Sequence, residues 1–196
     1  MLNWLSNNWI EIFGVISGFI YLILEIKEKT LMWLVGIISS FLFFFVFLDA
    51  KLYANLSLQI YYIIIGIYGW YYWKKGNKAK KQVETSSINT KQFLYLSMFS
   101  VIVFILYSYI LTHYTDSQIP YFDSLTTTLS ITASIMLARK ILEQWILWIF
   151  VDTFSMILYA YQGLYLTSFL FAIFTILAVI GYLQWEKNMK KNTKFA

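Results

Sequence analysis

Seven apolar stretches, each close to the length of a bilayer crossing, dominate this chain: about 9–26, 31–48, 52–73, 93–112, 123–138, 141–160 and 166–185. A hydrocarbon core about 30 Å thick is crossed by roughly 20 helical residues, with some allowance for tilt. Lipid offers the backbone no hydrogen-bond partner, so only helices and closed barrels can span it. A barrel would show alternating segments of about ten residues. These runs are continuous instead, and the chain holds a single Pro. At 60% hydrophobic and 13% charged it is not a soluble domain. The expected class is an all-α integral membrane protein with seven transmembrane helices. The first run carries Glu11 and lacks a basic leader and a small-residue cleavage site, so it reads as a retained helix rather than a signal peptide.

The fifth run, DSLTTTLSITASIMLA, is rich in Ser and Thr, which bond to their own helix backbone or across to a neighbour, as in a buried, cavity-lining helix. Residues 74–92 are polar and aperiodic and read as a mobile cytoplasmic loop.

Charge distribution fixes the expected orientation. Lys27 and Lys29 follow the first run, Lys74, Lys75, Lys78, Lys80, Lys81 and Lys91 the third, Arg139 and Lys140 the fifth, and Lys187, Lys190, Lys191 and Lys194 the seventh. Only Lys51 falls on the other side. The basic side is the cytoplasm, which puts the N-terminus outside and the C-terminus inside the cell membrane. The net charge of +5 is thereby a topology signal and implies no nucleic acid.

Laid over itself at an offset of 112, the chain matches Trp33 to Trp145, Tyr53 to Tyr165, Gly69 to Gly181 and Trp73 to Trp185, and it also places Lys27 on Arg139 and Glu11 on Asp123. Such a run without a gap predicts two parallel three-helix repeats joined by a linker helix, a 3+1+3 arrangement. The expected boundaries are 1–73 for the first repeat, 74–92 for the loop, 93–112 for the linker helix, 113–185 for the second repeat and 186–196 for a cytoplasmic tail. Parallel repeats of this kind occur in transporters that bind substrate between their halves.

Function shows where the repeat breaks. Gly36 and Ser40 of the first half are replaced by Trp148 and Asp152 of the second. Trp145, Trp148, Asp152, Ser155 and Tyr159 share one helical face, opposite Ile, Leu, Val and Phe. A carboxylate at mid-bilayer costs about 3 kcal/mol on insertion scales. With aromatic faces beside it, it suits a small organic cation. Trp145 alone, near the helix start, could be an interface anchor, and Asp152 could instead bond to a neighbouring helix. In the third run, Asn55, Gln59 and Tyr62 share a face; the amides could read a hydroxyl, an aminopyrimidine or a carboxamide, or simply join helices. Ser124, Thr127, Ser130 and Ser134 offer secondary polar lining or mere packing.

Enzyme chemistry has little to work with. His113 is the single histidine and the chain has no Cys, so neither a metal site nor a disulfide can be assembled. No phosphate loop, nucleotide fingerprint or nucleophile set is present. The expectation is a protein that is not an enzyme, with no catalytic residue, metal or cofactor.

The stretches YANLSLQIYYIIIGIYGWYYW, DSLTTTLSITASIMLARKILEQWILWIFVD and QGLYLTSFLFAIFTILAVIGYLQW together resemble the Pnu vitamin transporters, whose members take up nicotinamide riboside, thiamine or riboflavin. The resemblance implies a 3+1+3 fold like that of the SWEET sugar transporters. It also implies facilitated diffusion, with a cytoplasmic vitamin kinase as the functional partner that traps the substrate. The family's WxxW motif falls on Trp145 and Trp148, its polar position one turn on falls on Asp152, and its third-helix glutamine falls on Gln59. The nicotinamide riboside branch typically has Asn at the Asp152 position. The acid here favours thiamine, a fixed cation, with nicotinamide riboside as the alternative and neutral riboflavin gaining least. A rival class is the substrate-binding subunit of an energised transporter. Besides the vitamin, membrane lipid is an implied partner, and nothing in the sequence excludes a homo-oligomer.

Overall fold

Apolar runs become helices here because the backbone has no other way to satisfy itself in lipid. The computed structural model describes residues 9–49, 53–75, 83–115, 117 and 119–194. They form seven helices: α1 (Trp9–Ile26), α2 (Leu31–Asp49), α3 (Tyr53–Lys75), α4 (Thr90–Tyr114), α5 (Pro120–Ala138), α6 (Gln144–Tyr161) and α7 (Tyr165–Lys194). By length and composition, α2, α4, α6 and α7 contain stretches able to cross a membrane unaided. The others carry more polar residues or are described over a shorter apolar length.

The chain divides into two compact units, 1–83 and 84–196. In the first, α2 packs on α1 and on α3; in the second, α6 packs on α7 and α5, and α5 on α4. The linker helix therefore belongs to the second unit.

The repeat is visible in the backbone. After α1, the Lys29 amide donates to Leu24 and that of Glu28 to Glu25, with Glu28 at φ 54°. After α5, the Ile141 amide donates to Met136 and that of Lys140 to Leu137, with Lys140 at φ 59°. Both are Schellman turns whose left-handed residue is not Gly. They lie 112 residues apart, the offset read from the sequence.

Each unit also carries the same aromatic knot. Trp33 meets Trp73 edge-on at 5.7 Å and 88°, and Trp145 meets Trp185 edge-on at 5.6 Å and 88°. Each first tryptophan lies on a glycine of the facing helix, Gly69 in one unit and Gly181 in the other.

One sequence expectation needs correction. Residues 83–89 are not a loose part of the loop: Ser86 forms a parallel bridge with Ile141, donating its amide to Lys140 and accepting from that of Leu142 at 2.9 Å. Glu143 then accepts from the Ser87 hydroxyl and, at 2.9 Å, from the Ile88 amide. Asn89 caps α4 in a reciprocal box with Gln92. Residues 76–82 of the loop lie outside the described residues. The last helix continues from the apolar run to Lys194, held by i,i+4 pairs of Glu186 with Lys190 and Gln184 with Asn188.

Because one carboxylate holds the 83–89 strap at two points, Glu143→Ala is expected to raise the exchange rate of the Ile88 amide by about tenfold or more. Hydrogen exchange read by mass spectrometry checks it, with α7 peptides as the unchanged reference.

Candidate functional site

The stripe on α6 is real as a buried face. Trp145, Asp152 and Ser155 are buried and Trp148 and Tyr159 half-buried, while Ile146, Phe150, Phe154 and Ile157 on the other side are exposed. In a membrane protein that exposed side suits lipid, and the stripe faces protein.

Within the stripe the residues differ in what they touch. Trp145 is fully enclosed at 0% exposure, wedged between Gly181 and Trp185. Its indole N–H has no hydrogen-bond partner among the described residues, and the same is true of Trp33 in the first unit. A ring so enclosed, with an identical twin in the unit that has Ser40 in place of Asp152, has a packing task. Neither the interface anchor nor the stacking platform expected from the sequence fits it. Trp148 keeps exposed surface. Tyr159 stacks on Phe171 of α7 at 5.3 Å, and Ser168 of α7 donates to the Met156 carbonyl at 2.8 Å. These contacts fix α6 against α7 on the C-terminal side of Asp152, and the Trp145 contacts do so on the N-terminal side.

Asp152 is 8% exposed. Among the described residues its carboxylate makes no hydrogen bond or ion pair, and no charged neighbour acts on it. No structural bond from Asp152 to a neighbouring helix is present among the described residues. A buried acid without a partner is costly and is the exception in folded proteins. Its counterpart in the first unit, Ser40, is buried to the same 8% and asks for nothing comparable.

Two of the α5 hydroxyls singled out by the sequence are spent on their own helix. Ser130 donates to Thr126 at 2.8 Å and Ser134 to Ser130 at 2.7 Å, leaving only acceptor capacity for a ligand. The most deeply buried polar face runs through Ser124, Thr128 and Thr132, one turn apart each, and Thr127 and Ser130 stand beside it only partly buried. Thr128 Oγ1 has no hydrogen-bond partner among the described residues, a candidate the sequence reading missed although its four-residue spacing from Ser124 was there to see.

In the first unit, Gln59 and Tyr62 are half-buried on α3, with Tyr62 edge-on to Tyr61 at 5.4 Å. One turn further on the same face is Gly66, where a Cβ would meet Ile37 of α2 at 2.8 Å. Asn55 lies within α3, but its side chain is outside the described residues. Glu25 is a second buried acid, at 2% exposure and within electrostatic reach of Tyr21. The sequence reading passed over it, and the Tyr21–Glu25 spacing of one turn was its signal.

The family description that matches residues 8–187 is nicotinamide mononucleotide transporter. The chain is 29% identical to the nicotinamide riboside transporter PnuC of Escherichia coli (strain K12) over 94% of its own length and 87% of that protein's. It is 22% identical to the riboflavin/roseoflavin transporter RibM of Streptomyces davaonensis over 98% of its length and 96% of that protein's. The crystal structure of the vitamin B3 transporter PnuC superposes with a TM-score of 0.74 at 26% identity, covering 95% of this chain and 84% of that one.

Proposed function

This chain belongs to the nicotinamide mononucleotide transporter family, and from that premise we propose that it carries nicotinamide riboside across the cell membrane by facilitated diffusion. It is a multi-pass membrane transporter of a vitamin, not an enzyme. The sequence alone leaned towards thiamine. The relatives described above carry nicotinamide riboside or riboflavin in their names, which moves the reading to the alternative.

The structural support for a cationic substrate is the buried carboxylate of Asp152, which has no partner among the described residues, and the choice of nicotinamide riboside among cations rests on the relatives. The substrate's pyridinium cation supplies the missing partner, and the half-buried Trp148 ring one turn away supplies a face for it. Trp145 does not stack on substrate in this reading; it fixes the helix that carries Trp148 and Asp152. Ser155, one turn beyond the acid, and the acceptor oxygens of Ser130 and Ser134 serve the ribose hydroxyls. Gln59 of α3, in the first unit, carries an amide of the kind that pairs reciprocally with a carboxamide. Riboflavin, larger and uncharged, would leave Asp152 unanswered.

No energy source is required if a cytoplasmic kinase phosphorylates the ribose, since the product carries negative charge and no longer fits a site built for a cation. Uptake into liposomes containing only the purified protein tests the proposal. Saturable entry of labelled nicotinamide riboside without ATP is expected, with thiamine and riboflavin competing weakly. Entry only in the presence of an ATP-driven partner would make the protein a capture subunit, and stronger competition by thiamine would overturn the substrate.

A further inference from the structure

The second unit contains a groove of about 360 Å³ between α4 and α5 that plays no part in the proposed vitamin site. Gln92, Tyr95 and Arg139 line its polar part. Leu96, Phe99 and Ile135 line the rest. The order is not random. Gln92 is in the first turn of α4 and Arg139 caps the end of α5, both at the basic side of the chain. Leu96 and Phe99 lie one and two turns further along α4, and Ile135 one turn back along α5. At 1.5 Å per residue, the groove passes from hydrogen-bond donors to hydrocarbon over about 10 Å of membrane depth.

Its polar end is also preformed and electrically one-sided. The strap described above pins Ile141, a further wall residue, to Ser86, and the Asn89–Gln92 box fixes the start of α4. Gln92 Oε1 accepts from the Asn89 amide at 3.1 Å, and both N–H groups of its NH2 remain as donors. The nearest acid in sequence, Glu143, is occupied by Ser87 and Ile88. The Arg139 side chain is exposed and makes no ion pair among the described residues. What remains is a guanidinium, an amide NH2 and a phenol at the mouth of an apolar slot. Guanidinium forks match phosphate bidentately, and basic pockets between helices on the cytoplasmic side suit anionic headgroups.

We propose that this groove holds the phosphate headgroup and upper acyl carbons of an anionic diacyl phospholipid of the inner leaflet. The lipid would pack α4 against α5, whose own contact includes a side-chain bond between Ser100 and Thr132 at 2.8 Å. That makes lipid charge a determinant of how firmly the linker helix is held.

Native mass spectrometry of the full chain released from detergent, with added phosphatidylglycerol or phosphatidylcholine of identical acyl chains, tests the proposal. The wild type is expected to retain phosphatidylglycerol about tenfold better, Arg139→Gln to lose that preference, and Ile135→Trp to retain less of either lipid by filling the slot. Equal retention of both lipids by the wild type overturns the proposal, and so does an undiminished preference in a folded Arg139→Gln protein. Displacement of phosphatidylglycerol by inorganic phosphate alone would also overturn it, since the site would then bind an anion and not a lipid. Thermal unfolding shows whether each variant is folded; should neither fold, the wild-type comparison decides.

Discussion

Asp152→Ala is expected to weaken binding of nicotinamide riboside about 100-fold while leaving the unliganded protein at least as stable as the wild type. Both halves of that expectation come from the same geometry. Breaking a buried charge pair costs about 3 to 5 kcal/mol, and about 2.8 kcal/mol is a factor of 100 in Kd. Without substrate there is no pair to break: the carboxylate is buried with no partner among the described residues, and removing it relieves a desolvation cost. Function held at the expense of stability is the expected signature of a binding residue. Asp152→Asn keeps hydrogen-bonding capacity but not charge and should fall between, about tenfold weaker than the wild type. Quenching of tryptophan fluorescence gives the affinities and thermal unfolding the stabilities. Were Asp152 a tie between helices, the Ala protein would melt lower and binding would fall only as a consequence. Wild-type affinity in a folded Ala protein would sink the assignment.

Helix existence was legible because the solvent enforces it: the second apolar run, read as 31–48, is α2 at Leu31–Asp49. Order at 83–89 was not, since it comes from pairing with a segment some 55 residues away and polar composition says nothing of that. Its local trace was the capping pair Asn89 and Gln92, whose spacing announces a helix start. The extension of α7 through Lys194 was likewise hidden by charge, although Glu186 and Lys190 stand at the spacing that supports an exposed helix. In the candidate site, burial of the α6 stripe followed from its 3.6-residue period. Trp145 is the instructive case. The offset of 112 paired it with Trp33, and Gly181 with Gly69, but an alignment names equivalent residues without saying that one lies on the other. The contact of ring on glycine appears only once α6 is laid against α7.

That contact predicts that Gly181→Ala destabilises the protein by about 1 to 3 kcal/mol with little change in substrate affinity. A Cβ at Gly181 would stand 2.5 Å from Trp145 Cη2, closer than real Cβ atoms come to anything. The ring cannot yield, because it has no exposed surface and Trp185 blocks it edge-on. At about 2 to 4 °C per kcal/mol for a chain of this size, the melting point should fall by several degrees. Reducing the ring makes room, so the double variant Gly181→Ala with Trp145→Phe should recover part of the loss relative to the two single changes, a coupling that a thermodynamic cycle isolates. The same reasoning applies to Gly69 and Trp33, which form the knot in the unit where Ser40 is the counterpart of Asp152. Substrate binding separates the two tryptophans of α6. Trp148→Ala should lower affinity by about tenfold with a modest change in melting, and Trp145→Phe should do the reverse. If Trp145→Phe instead cost affinity and left melting untouched, the enclosed ring would be part of the binding surface, and the packing role assigned to it would fail.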